Sequence, residues 1–175
     1  MRMRSLLVAG ATGMLTLGIA LPATAATGDT TATITVTGGS LSITVPAAAN
    51  LGTTASTVGG SIISGPLGQV QVLDARSAAA GSGWVASVIS TAFTPPSGPA
   101  IAASAVGYTA GAITKVGTAT YTANDPGDLT AVGAAVTATG ITGDNSATWT
   151  PTITVAVAGG TVAGVYSATI THSVL

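Results

Sequence analysis

The stretch WTPTITVAV, residues 149–157, decides how the rest of the chain is read. Taken in alternate positions it separates into two faces. Trp149, Pro151, Ile153, Val155 and Val157 fall on one side, and Thr150, Thr152, Thr154 and Ala156 on the other. Successive side chains of a strand point to opposite faces, so the pattern predicts a strand with one apolar and one hydroxyl-rich face. Branched side chains stiffen the backbone toward that conformation and pack well on a pleated surface. Pro151 has no N–H to give to a ladder, which places it at the strand's start or on an edge.

The same period recurs on both sides. After a turn at 158–164, residues 165–175 alternate again, with Tyr166, Ala168, Ile170, His172 and Val174 on one face. Upstream, residues 33–37 (TITVT) and 41–45 (LSITV) flank Gly38-Gly39, which reads as a hairpin. Strands are also expected at 69–76 and 83–91, with weaker ones at 61–64, 101–106, 112–116 and 118–122. Thr94-Pro95-Pro96-Ser97-Gly98-Pro99 is a stiff loop, and Asn124-Asp125-Pro126-Gly127-Asp128 a turn. Residues 132–139 hold enough alanine for a helix, but their Val, Thr and Gly spacing favours a strand. Many short strands, frequent turn signals and no amphipathic helix predict an all-β fold, an antiparallel β-sandwich.

Residues 1–25 read as a signal peptide rather than part of that fold. Arg2 and Arg4 give a basic start, residues 5–21 are apolar, and Ala23-Thr24-Ala25 has the small-x-small spacing of a cleavage site. Residues 26–175 then form a single secreted domain, with no membrane contact in the mature form. Its charges are Arg76 and Lys115 against Asp29, Asp74, Asp125, Asp128 and Asp144, a net of −3. So few cations argue against nucleic acid as a partner, because phosphate neutralisation dominates such binding. The chain has no cysteine, so packing and hydrogen bonds must hold it.

Residues 69–87, QVQVLDARSAAAGSGWVAS, carry the chain's most distinctive local order. An alternating strand is followed by Leu73-Asp74-Ala75-Arg76, a loop of small residues, and Gly83-Trp84. Asp74 and Arg76, two apart, share a strand face with Val70 and Val72. They are expected to form a structural ion pair that pins register at a hairpin before Trp84, where threonine and alanine faces specify register weakly. The terminal stretch runs Tyr166, three residues, Ile170, Thr171, His172, Ser173, Val174.

Together these two stretches resemble the WxL-domain family, secreted surface proteins of Gram-positive bacteria. Where that family has its two Trp-x-Leu motifs, this chain has Trp84-Val85-Ala86 and His172-Ser173-Val174. The resemblance implies a non-enzymatic protein held non-covalently to a cell-wall polymer, peptidoglycan, or to surface partner proteins. An uncharged sandwich with open edges also allows self-association, as a fibre or biofilm-matrix structural subunit.

Each candidate site has a plainer reading beside it. Trp84 and Trp149 could stack on sugar, though a Trp within an alternating strand is more often core. His172, the one histidine, is a candidate binding residue or a satisfied core residue. No Cys, Glu or second His accompanies it, and no Gly-x-Ser-x-Gly turn occurs, so no catalytic residue, metal or cofactor is assigned. Asn124, Asp125 and Asp128 lack the spacing of a calcium loop, and an Asx turn accounts for them.

Overall fold

The computed structural model describes Gly28 and residues 30–175; the signal-peptide reading of residues 1–25 lies outside the described residues. One packed unit covers Val36–Leu175. Its strands are β1 (Leu41–Thr44), β2 (Ser61–Pro66), β3 (Val70–Ser90), β4 (Val106–Thr109), β5 (Ile113–Ala123), β6 (Gly133–Trp149), β7 (Thr152–Val157) and β8 (Ile170–Val174). They make two sheets, with every pairing antiparallel. In the larger sheet β3 and β6 are central, β5 flanks β6, and β1 and β8 both pair with β3, at its two ends. In the smaller, β7 lies between β2 and β4. The expected sandwich is therefore present. Its core comprises Val70, Val72, Val88, Val136, Trp84 and Trp149 from the larger sheet with Val106, Tyr108, Ile153 and Val155 from the smaller.

The stretch at 149–157 is not one strand. Trp149 ends β6 in the larger sheet, opposite Val70 and Ile113, and Ile153 lies in β7, opposite Gly65 and Tyr108. The chain changes sheets at Thr150 and Pro151, and Pro151 is fully buried at that corner. Its missing N–H is the reason: a proline there withholds nothing from either ladder, and its carbonyl still accepts the N–H of Leu67 at 2.9 Å. The two-residue period survives because the same face turns inward on both sides of the corner. Trp149, Pro151, Ile153, Val155 and Val157 are all buried.

Other expectations change as well. Residues 77–82 are not a hairpin loop. They continue β3, which runs unbroken through 21 residues, with shifts of register against β6 between Asp74 and Ala78 and between Ala78 and Ser82. Small side chains let the strand bulge there instead of ending. Ser77 takes a positive φ of 53°, and Asp144 Oδ1 holds it by accepting the Ser77 N–H at 2.9 Å and hydroxyl at 3.2 Å. At the same level β5 bulges at Gly117, φ 87°, where a Cβ would lie 2.5 Å from the Asp144 carbonyl oxygen. The expected strands at 112–116 and 118–122 thereby join as β5.

The hairpin around Gly38-Gly39 is also absent. Residues 33–37 form no strand, and Ile34 and Val36 are exposed. β1 pairs instead with β3, Leu41 facing Asp74. Near the end of the chain only Ile170–Val174 is a strand; Ser167 makes an isolated bridge to Thr94, and Tyr166 precedes both. Residues 132–139 belong to a strand, β6, rather than a helix from 133 onward. Of the expected strand at 101–106, Ile101 bridges Phe93 and Ala103–Ala105 is a 3-10 turn.

Candidate functional site

The candidate residues fall into two buried polar networks. The first lies within the larger sheet. Inward alternation brings Val70, Val72 and then Asp74 to the core face of β3, leaving a carboxylate with no exposed side-chain surface. Such a group must be paired. Arg76 Nε donates to Asp74 Oδ1 at 2.8 Å and Nη2 to Oδ2 at 2.9 Å, while the Arg76 backbone N–H donates to Oδ1 at 3.1 Å. This fork is the strong geometry for a guanidinium and a carboxylate. Arg76 Nη2 also donates to the Gly83 carbonyl at 3.2 Å, closing the bulge of β3 upon itself.

Asn145 on β6 extends the network. It sits opposite Asp74 and donates from Nδ2 to Asp74 Oδ2 at 3.2 Å. Its Oδ1 accepts from Trp84 Nε1 at 3.1 Å and from the Tyr121 hydroxyl at 3.1 Å. The Trp84 and Tyr121 rings meet at 5.7 Å between centroids. Three strands, β3, β5 and β6, are thus joined through one amide. The hydrogen bond from Arg76 holds the Asp74 carboxyl down at about 2, and the same bond raises Arg76. Burial raises the Tyr121 hydroxyl. Asp74 is therefore ionised and fully engaged near neutral pH, with nothing to give or take as an acid or base.

The second network links the sheets. Trp149 on β6 donates from Nε1 to the Tyr108 hydroxyl of β4 at 2.7 Å. That hydroxyl lies 3.3 Å from Nε2 of His172 on β8, with the two rings 5.6 Å apart. One hydroxyl can accept from the indole and donate to the imidazole, which fits a neutral ring with its proton on Nδ1. Burial pushes the Tyr108 hydroxyl up to about 12 and His172 down to about 4, so both are uncharged at neutral pH. His172 Nδ1 is buried and has no partner.

Trp84 and Trp149 are each only 2% exposed, so neither offers a ring face to a saccharide. That corrects their assignment as binding residues. Their apolar faces make core and their N–H groups are satisfied inside it. In the terminal motif Ile170 and Val174 pack half-buried on the core, His172 lies between them on the same face, and Thr171 points outward. Tyr166 lies apart, its hydroxyl donating to the Val162 carbonyl at 2.9 Å.

Asp125 Oδ1 accepts the Ala110 N–H at 2.8 Å and Asp128 Oδ1 the Thr130 N–H at 2.7 Å, the latter an Asx turn. Among the described residues no three His, Cys, Asp or Glu side chains gather as a metal site would require. Sequence reasoning missed Asn145, Tyr121 and Tyr108. The signal for Asn145 was present: it falls in the inward set with Ala147 and Trp149, and an amide on a core-facing position calls for partners. Comparison with protein-family models, curated proteins and solved structures returns no match to this chain.

Proposed function

We propose that the protein is a secreted, non-enzymatic surface protein that associates with cell-wall polymer or surface partner proteins through its outer faces and strand edges. One observation carries the reading. The residues at the positions of the family's two Trp-x-Leu motifs are occupied internally, Trp84 by Asn145 and His172 by Tyr108, so those positions build core and any partner must meet the outside. What remains outside is hydroxyl-rich and nearly uncharged. β5 presents Thr114, Lys115, Val116, Thr118, Thr120 and Thr122 along a free edge of the larger sheet, and an edge strand offers unpaired N–H and C=O groups to a partner. Such a surface suits hydrogen bonding to a polymer rich in amides and hydroxyls.

Sedimentation with purified peptidoglycan tests it. The monomer should co-sediment saturably, and Trp84→Phe, which removes the indole N–H but keeps a core ring, should bind as the parent does. Absence of co-sedimentation would count against wall association. A second reading, a self-assembling fibre subunit, is favoured by residues 33–37. They carry a strand's alternation, form no strand among the described residues, and leave Ile34 91% and Val36 78% exposed. Filaments that grow with concentration, and that vanish with Ile34→Asp, would establish it in place of the first.

A further inference from the structure

The walls of the unit leave a space of about 720 Å3 unfilled. Ile63, Val155 and Val157 of the smaller sheet face it from one side, and Phe93, Ile170 and His172 from the other. Two segments without strand structure, within 45–56 and 161–169, also line it, and it is open to solvent. They are tied to each other where Ser56 Oγ donates to the Thr161 carbonyl at 2.8 Å. The volume falls within the roughly 300–1,000 Å3 typical of small-molecule sites.

We propose that this cavity binds an uncharged, mostly hydrocarbon molecule with one oxygen-bearing end, of the class of a fatty alcohol or a monoacylglycerol. Several observations converge. No charged side chain lines the cavity. The imidazole in its wall is neutral at ordinary pH, so nothing there compensates an ionic ligand, and stripping water from an unpaired charge is costly. Ile63, Leu67, Phe93, Ile101 and Ile170 pack on the core yet stay only partly buried. Val45, Val162 and Val165, three exposed large aliphatics, also border the space. A hydrocarbon chain covers both sets, and removal of apolar surface from water supplies the affinity. Uncharged polar groups also border the cavity, among them Asn50, Thr53 and Ser167, which suit a hydroxyl or ester end. His172 adds an unpartnered ring nitrogen beside the cavity, held only by a long contact to Tyr108. The site stands independently of the surface-protein reading, since the β5 edge does not line it and His172 alone of the two networks does.

The test uses the uncharged dye Nile red and, as competitor, 1-decanoylglycerol. Nile red emission should rise and move to the blue saturably, and 1-decanoylglycerol should displace it. Val157→Phe and Ala168→Phe each fill part of the space and should weaken binding at least tenfold while circular dichroism stays that of the parent. Because the chain has a single histidine, the 15N-labelled imidazole of the unaltered protein gives a second readout that needs no variant. Its resonances should shift saturably with 1-decanoylglycerol. Decanoate, the charged counterpart, should bind at least tenfold more weakly. Absence of saturable dye binding, binding unchanged in folded filling variants, an unmoved His172 resonance at saturation, or equal affinity for decanoate would each overturn the assignment.

Discussion

Acidification from pH 7 to pH 4 should destabilise this protein through one residue, His172. Its ring is half-buried between Tyr108 and the core face of β8, and burial lowers its pKa from 6.5 to about 4. The unfolded chain exposes the same imidazole to water. Above pH 6.5 the ring is neutral in both states and has no effect on the balance. Between 6.5 and 4 the unfolded state binds a proton that the folded state refuses, so stability falls with pH and the loss is complete below about 4. At about 1.4 kcal/mol per unit of pKa, the full displacement corresponds to about 3 kcal/mol, and residual solvent access reduces that to about 2 kcal/mol. Among the described residues the one ion pair, Asp74 with Arg76, lies in the other network, and the hydroxyl facing the ring, Tyr108, does not titrate in this range. Urea unfolding followed by tryptophan fluorescence at pH 7, 5.5 and 4 measures the slope. His172→Phe removes the titrating group and keeps a ring in the space, so its stability should be nearly flat over the same interval. A parent whose stability does not change between pH 7 and 4, or a variant that loses as much as the parent, would refute the reasoning.

Four further outcomes follow from the same geometry. Asp74→Ala and Arg76→Ala should each cost several kcal/mol, about 3, because either leaves a buried or half-buried group unpaired, and the double variant should cost less than the sum; additive losses in a double-mutant cycle would contradict the pairing. Below pH 4 the Asp74 carboxyl, held at about 2 against 3.8 unfolded, adds its own acid lability of about 2 kcal/mol, complete only below pH 2 and absent in Asp74→Asn. Gly117→Ala should destabilise by more than about 1 kcal/mol, since the added Cβ meets the Asp144 carbonyl in a backbone conformation that alanine resists, and thermal unfolding would show it. Removal of residues 170–175 should unfold the domain, because β8 covers one end of β3 from Ala86 to Ser90; a cooperative thermal transition in the shortened chain would contradict that placement.

The alternation at 149–157 announced the sandwich because period-two patterning depends only on which face is wet. It could not announce the corner at Pro151, since the inward face is shared by both sheets and parity runs through unbroken. The small residues at 77–82 looked like a loop for a related reason. Glycine and alanine suit loops, but they also suit bulges, and the partner that keeps them in the ladder, Asp144, lies 67 residues away. Residues 33–37 had the right pattern but form no strand, whereas β1, with the same pattern, met β3. Asp74 and Arg76 were legible together because they are two residues apart. The inward position of Asn145 was legible, but its partners were not, nor were the roles of Tyr121 and Tyr108, because what makes them partners is strand register, which couples distant segments and leaves little local trace.

The unbroken run of β3 has a consequence for how fast the domain can form. Its ladder with β6 sets Val70 against Trp149 and Val88 against Gly133, so the central contacts join segments far apart in the chain. Domains dominated by such distant pairings fold on the order of milliseconds to seconds rather than microseconds. During that interval a 21-residue strand waits with both sides open, and its serine, alanine and valine positions would accept several offsets almost equally. Only one offset brings Asn145 opposite Asp74. Every other leaves the Asp74–Arg76 pair without the Asn145 amide, and Trp84 and Tyr121 without their shared acceptor, so wrong pairings are less stable than the native one. The buried amide thus ties register to hydrogen bonding: the offset that satisfies it is the one that aligns the whole ladder.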